Sequence, residues 1–287
     1  MTTLGSVGMR LYESLLMPSR LEVYRQLLDS ASMNSYRMLS VLDFHRLNQA
    51  GEFDPTKRYL VLRHDIDTDA SAAREFLAIE REIGASASHY FRLCTLDIDL
   101  MKEIESSGSE ASYHYEEIAT VAKEERLRTR EEIQAEMPRI RDRFARNYRW
   151  LRRVSGLPLR TVASHGDFIN RKISMTNSEI LRDPQLREEL GIELETYDEE
   201  AERRITSRHS DRLPPAYWKP RSPFKAIEEG SPVVYVLTHP RHFRCRVADN
   251  LSSDLRRLYE GVCHRFGLRS EHRAMRRPLH DTSDDDG

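Results

Sequence analysis

The sequence predicts an α/β fold in which parallel strands alternate with helices, as in a (β/α) barrel or a doubly wound sheet. Short apolar segments, typical of buried strands, occur at 59–63, 87–93 and 110–115. Between them, residues 71–83 and 97–108 carry apolar side chains at helical spacing, and each ends at a glycine. Because each helical segment separates two strands, we expect parallel βαβ units.

The N-terminal part is predicted to be helical, because apolar residues recur at helical spacing within 20–49. With 287 residues and 39% hydrophobic content, the chain can build one large core. We therefore expect a helical lead-in at 1–50 packed on a single catalytic barrel at 51–267. The polar segment 268–287, which contains three consecutive aspartates near its end, is expected to be disordered.

The second half begins with a long charged helix. Thr129 and Glu132 have the spacing of a capping box, and Pro138 is expected to kink the helix. The remaining elements are predicted as strands at 159–163 and 233–237, a long loop at 203–223 and a last helix at 253–266.

Overall charge and composition predict a cytoplasmic protein without a membrane span. The formal net charge of -2 gives no whole-protein reason to expect nucleic acid or an anionic membrane as a partner. Cys94, Cys245 and Cys263 are widely spaced and odd in number, which favours a reducing compartment. The first 20 residues lack the continuous apolar stretch of a secretory signal.

Residues capable of binding a metal or transferring a proton stand where the predicted strands end. They are Asp65 and Asp67, His114, His165 and His239. In parallel α/β folds these strand ends converge on one edge, so distant residues can meet around one ion. Alternation along a strand places Asp65 and Asp67 on the same side.

Two adjacent carboxylates repel each other, and a cation relieves that repulsion. One carboxylate can then bind the ion while the other accepts a proton from water. The alternative is that Asp67 or Asp69 simply caps the helix at 71–83. The histidines at other strand ends favour the functional interpretation over the cap.

Several motifs resemble, in order and over about residues 20–245, those of the polysaccharide deacetylase superfamily of carbohydrate esterases. They are RHDID at 63–67, the helix at 71–83, SHYFR at 88–92, SYHYE at 112–116, SHG at 164–166 and LTHP at 237–240. The resemblance implies a distorted (β/α) barrel and a divalent ion, commonly zinc, held by an aspartate and two histidines. It assigns Asp65 as the base, Asp67 as a metal ligand and His239 as the general acid.

The second family motif, His-x-x-x-His, begins at His114, but Ile118 occupies its second histidine position. His165 is the candidate to replace that ligand. Glu116 and Glu117 remain alternatives, because carboxylates also bind zinc.

The function that the resemblance implies is metal-dependent removal of an N- or O-acetyl group from a sugar or glycan precursor. Trp218, with its neighbour Tyr217, is a candidate surface for a sugar ring, and Arg241 is a candidate for binding an anionic group. Two alternatives stay open. One is hydrolysis of another non-peptide carbon–nitrogen bond, and the other is a non-catalytic glycan-binding or assembly protein with a degenerate metal site.

Overall fold

The computed structural model describes residues 17–212, 214, 216–244 and 247–266. Cys245 and the predicted polar tail at 268–287 therefore lie outside the described residues. The strands are β1 Tyr36–Ser40, β2 Arg58–Ile66, β3 Ser88–Phe91, β4 Glu110–Tyr115, β5 Thr161–Ser164, β6 Leu194–Glu195, β7 Ser207–Asp211, β8 Trp218–Lys219 and β9 Val233–Thr238. The α-helices are Leu21–Met33, Val41–Gln49, Ala70–Ile83, Ile98–Ser106, Glu117–Glu125, Arg130–Ser155, Phe168–Lys172, Pro184–Leu190, Glu199–Glu202, Pro223–Glu228 and Val247–Phe266. Short 3-10 helices occupy Leu93–Thr95, Asn177–Arg182 and Pro240–His242.

The described strands form one curled, mostly parallel sheet that makes a half-barrel. Its order is β6-β5-β4-β3-β2-β9-β7-β8, and only β7 and β8 pair antiparallel. The alternation of strands and helices predicted from the sequence is therefore confirmed. Because β2 to β5 and β9 run in the same direction, their carboxyl ends lie along one edge of the sheet.

The prediction that residues 20–49 are helical is confirmed for the helices Leu21–Met33 and Val41–Gln49 and is wrong for β1, which lies between them. Ser35 has a positive φ of 60° after the first helix ends, and β1 follows. Strand β1 pairs with the first half of β2, and β3 pairs with the second half of the same edge. This pairing supplies backbone hydrogen bonds that local helical periodicity does not reveal. Ser40 then caps the next helix by accepting a hydrogen bond from the backbone N–H of Asp43.

Helix ends behave as their sequences predict. The helix Ala70–Ile83 stops at Gly84, whose φ of 79° is left-handed and suits glycine. Thr129 and Glu132 form the predicted capping box of the helix Arg130–Ser155, which continues through Pro138.

The segment 203–223 is not a structureless loop. Strand β7 lies beside β9, in parallel, and β8 pairs back onto β7. The sequence of β7, Ser-Arg-His-Ser-Asp, contains no apolar residue, so hydrophobic patterning could not reveal a strand there.

Candidate metal centre

The carboxyl end of β2 carries the two aspartates in different environments. Asp65 is 3% exposed, and the guanidinium of Arg63 donates to both of its oxygens, from Nε at 2.7 Å and from NH2 at 2.8 Å. Burial alone would raise the pKa of Asp65, but the charge of Arg63 opposes it and leaves the pKa below its ordinary value. Asp65 is therefore a rigidly held carboxylate that stays ionised at neutral pH.

Asp69, and not Asp67, caps the helix Ala70–Ile83. The side chain of Asp69 accepts the backbone N–H of Ser71 at 2.8 Å. Asp67 lies near two imidazoles instead, since its Oδ1 is 3.5 Å from Nε2 of His114 and 3.5 Å from Nε2 of His165. The structure thus brings together the three residues expected to bind a metal, with ligand atoms all within 4.8 Å of one another.

The ring of His114 is oriented by a hydrogen bond at Nδ1, the nitrogen that faces away from the carboxylates. Nδ1 of His114 lies 2.9 Å from the carbonyl oxygen of Ala163, so Nδ1 is the donor and, in the neutral ring, Nε2 carries a lone pair. That lone pair points toward the carboxylates of Asp65 and Asp67, each 3.5 Å away. Acceptors facing one another at this distance need a proton or a cation between them.

A carboxylate lies behind the ring of His165. Its Nδ1 is 3.3 Å from Oε2 of Glu116, while its Nε2 faces Asp67. Arg92 holds Glu116 through contacts of 2.7 to 3.0 Å and also donates to the backbone carbonyl of Asp67 at 3.1 Å. A carboxylate behind a ligating imidazole is the usual support of a protein metal site.

The pKa values of Asp67 and His165 are both lowered in this cluster. Burial alone would raise the pKa of Asp67, but the imidazoles of His165 and His114, together with His239, bring it well below its ordinary range. Burial, followed by the charge of Arg92, lowers the pKa of His165 and favours its neutral, metal-binding form. The donor set of one carboxylate and two imidazoles therefore fits a zinc-like divalent ion.

The two glutamates that remained alternatives to His165 are placed differently. Glu116 lies behind His165 and is paired with Arg92. Glu117 is turned into the core, where it accepts hydrogen bonds from the hydroxyl of Tyr113 and from Asn147 Nδ2 at 2.9 Å. Neither joins the cluster around Asp67, but Glu116 forms a second group with His165 and Asp167 that could also hold a metal ion.

His239 lies beyond the end of β9 and is held by Asp211, the last residue of β7. Its Nδ1 is 2.7 Å from Oδ1 of Asp211, and its backbone N–H donates to Oδ2 at 2.8 Å. Nδ1 of His242 contacts the same carboxylate at 2.9 Å. Burial would lower the pKa of His239, but Asp211, helped by Asp67 and Asp65, raises it to about 9. This imidazole is therefore protonated at neutral pH.

The residues suggested for substrate binding differ in how exposed they are. Trp218 is 8% exposed and packs edge-on against Phe243, so it does not offer an open face for a sugar ring. Its neighbour Tyr217 is 36% exposed, and the guanidinium of Arg20 lies 4.2 Å from its ring centre. Arg241 is 6% exposed, in the 3-10 helix just after His239.

Sequence reasoning missed Arg63, Arg92 and Asp211. Arg63 is two residues before Asp65 on the same side of β2, so strand alternation could have indicated it. Arg92 follows β3 at the same edge of the sheet, a position that could have indicated it too. Asp211 left no signal, because its strand has no apolar pattern.

The opposite side of β2 carries a second buried cluster. His64 and His89 contact the two oxygens of Glu80 at 2.9 and 3.0 Å, and the hydroxyl of Tyr24 donates to Glu80 at 2.8 Å. His64 Nδ1 also lies 2.6 Å from the hydroxyl of Thr238 on β9. The contact distances are those of hydrogen bonds, so the cluster ties helices to the sheet.

No protein-family model matches the chain, and none of the curated proteins shows detectable sequence similarity to it. Among the described residues, none of the helices combines the length and the apolar character that a bilayer crossing requires.

Proposed function

We propose that this protein is a metal-dependent hydrolase that removes an acetyl group from an acetamido or acetyl ester substituent of a sugar. The observation that carries the proposal is the meeting of Asp67, His114 and His165 at one edge of the sheet, next to an ionised Asp65. The distorted barrel of polysaccharide deacetylases is the fold variant that the motifs favour.

The proposed metal ligands are Asp67, His114 and His165. A divalent ion bound there would supply Lewis acidity, which polarises a carbonyl and lowers the pKa of water. Ala163 and Glu116 would keep the two imidazoles in the tautomer whose Nε2 faces the ion.

Asp65 would act as the base. Its Oδ2 is 3.5 Å from Nε2 of His114, so the carboxylate lies at the cluster without belonging to the three ligands. The fork of Arg63 fixes its orientation, which is what a positioned proton acceptor requires.

His239 would act as the acid. The charge of Asp211 keeps it protonated at neutral pH, so it can donate from Nε2 to the departing amine or alcohol. The charges of Asp65 and Asp67 act on His239 as well, which supports a place on the same side of the sheet.

The motif resemblance supports the proposal of a sugar substrate, and the cluster of Asp67, His114 and His165 supports the proposed chemistry. Tyr217 replaces Trp218 as the candidate for contact with a sugar ring, because it is the more exposed of the two. Arg241 remains the candidate for an anionic group on the substrate.

The test combines metal content with acetate release. The purified chain should hold about one divalent ion and release acetate from an N- or O-acetylated sugar, and a chelator should stop the release. Asp65→Asn should keep the ion and lose the activity, whereas His114→Ala should lose both. His45→Gln, at a buried histidine in the helix Val41–Gln49, is the matched control and should keep both.

Three outcomes would change the interpretation. Loss of the ion in Asp65→Asn would exchange the roles of Asp65 and Asp67. Release from simple amides but not from acetylated sugars would assign another carbon–nitrogen bond. A folded protein that binds no divalent ion would refute the enzymatic proposal and favour a glycan-binding protein.

A further inference from the structure

Arg20, the residue directly before the helix Leu21–Met33, carries a partly buried charge without a counter-ion. Among the described residues, no carboxylate forms an ion pair with its guanidinium, and its buried Nη1 has no hydrogen-bond partner. Burial lowers the pKa of Arg20, because the loss of water penalises the charged form. Charges withdrawn from water normally contact an opposite charge, so this guanidinium is a candidate for binding an anion.

Two aromatic rings hold the guanidinium in place. Its central carbon lies 4.2 Å from the centre of the Tyr217 ring and 5.0 Å from the centre of the Phe243 ring. The backbone N–H of Arg20 also donates to the carbonyl oxygen of Phe243 at 2.6 Å. A guanidinium that rests on aromatic rings keeps a fixed orientation, and its planar fork of N–H groups matches a carboxylate or a phosphate. The side chain is therefore preorganised for an anionic group.

These residues lie at the edge of the sheet that carries the candidate metal centre. Tyr217 belongs to the turn between β7 and β8, which begins directly after Asp211. Phe243 is four residues after His239, at the end of β9. Asp211 contacts His239, and its charge also acts on Arg20. The guanidinium is thus placed on the side of the site where His239 lies.

The backbone of Tyr217 is strained. Its φ is 56°, in the left-handed region, where the Cβ atom of a bulky residue comes too close to a carbonyl oxygen. Strained residues of this kind cluster at active sites and ligand-binding segments, where the surrounding structure compensates for the strain. This observation is independent of the charge of Arg20 and supports a binding role for the same place in the fold.

We propose that Arg20 binds an anionic substituent of the substrate, a phosphate or a carboxylate carried by the acetylated sugar. This inference rests on the proposed function and narrows its substrate class to anionic sugars. Arg20 holds the substrate and takes no part in bond cleavage. Arg241, the candidate suggested by the sequence, is 6% exposed and is therefore less accessible than Arg20.

The test is calorimetric titration of the full chain with N-acetylglucosamine, N-acetylglucosamine 1-phosphate and N-acetylmuramic acid. A chelator removes any bound ion, so neither metal binding nor turnover contributes to the affinities. At least one anionic sugar should bind about tenfold more tightly than N-acetylglucosamine, and the one that does identifies the anion. Arg20→Gln should abolish this gain. Arg20→Lys should keep only part of it, because an ammonium group lacks the planar fork.

The matched control is Arg37→Gln, because Arg37 is an exposed arginine on β1 that also pairs with no carboxylate among the described residues. It should bind all three sugars as the unaltered protein does. Equal affinity for the neutral and anionic sugars, or no binding of the anionic ones, would overturn the proposal. An unchanged gain in Arg20→Gln would overturn it as well. A gain that depends on Arg20 in a chain that releases no acetate would uphold the anion site while refuting the hydrolase, so the two failures are distinguishable.

Discussion

Replacing Asp211 with asparagine removes the charge that keeps His239 protonated. The pKa of His239 is raised from 6.5 to about 9, chiefly because the charge of Asp211 outweighs the effect of burial. At about 1.4 kcal/mol per pKa unit, this corresponds to roughly 3 kcal/mol of folding free energy. Since the folded pKa is raised, the stabilisation is fully present below about pH 6.5 and is lost as the pH rises through about 9.

Urea unfolding of chelator-treated protein measures this directly. Asp211→Asn should lower the free energy of unfolding by about 3 kcal/mol near pH 6, and the loss should shrink at about pH 9.5. Asp142→Asn is the control, because Asp142 forms an exposed pair with Arg146 on the long helix and should matter by less than about 0.5 kcal/mol. An equal loss at both pH values would refute the reasoning, because it would show that the charge of His239 contributes nothing.

The candidate metal centre, the core and the helix ends can each be tested by substitution. Glu116→Gln should weaken divalent metal binding about 10- to 100-fold in a competition assay, because the carboxylate orients the ring of His165. Phe144→Ala should lower the free energy of unfolding by about 3 to 5 kcal/mol in urea, since Phe144 is fully buried among tyrosine rings. Gly84→Ala should lower the melting temperature through about 1 kcal/mol of left-handed strain, whereas Gly261→Ala, inside the last helix with open space around it, should raise it.

The positions of strand ends predicted that Asp67, His114 and His165 would lie together, because this argument depends on topology alone. Asp67 and His165 directly follow β2 and β5, and His114 is the second-last residue of β4. Parallel pairing through β3 brings these strand ends to one edge. Once strands and helices alternate along a sequence, residues at the carboxyl ends of the strands are expected to meet. Apolar periodicity was sufficient to locate most of these strands.

Two parts of the fold left no such signal. Strand β1 lies within the segment 20–49 that was predicted to be helical from its apolar spacing, and pairing with β2 makes it a strand. Strand β7 is polar, so Asp211 could not be identified as the partner of His239. In both segments the deciding interactions are long-range backbone pairings.

Strand β2 divides the proposed catalytic machinery into two halves. On one side, β4 and β5 supply the histidines of the metal cluster; on the other, β9 and β7 supply His239 and its aspartate. The seam between β2 and β9 is the joint between the halves, and a slip of one residue there would turn His239 away from the cluster. Ion affinity and turnover are thus separable properties of this architecture. A substitution that disturbs the pairing of β2 with β9 could abolish turnover without affecting ion binding.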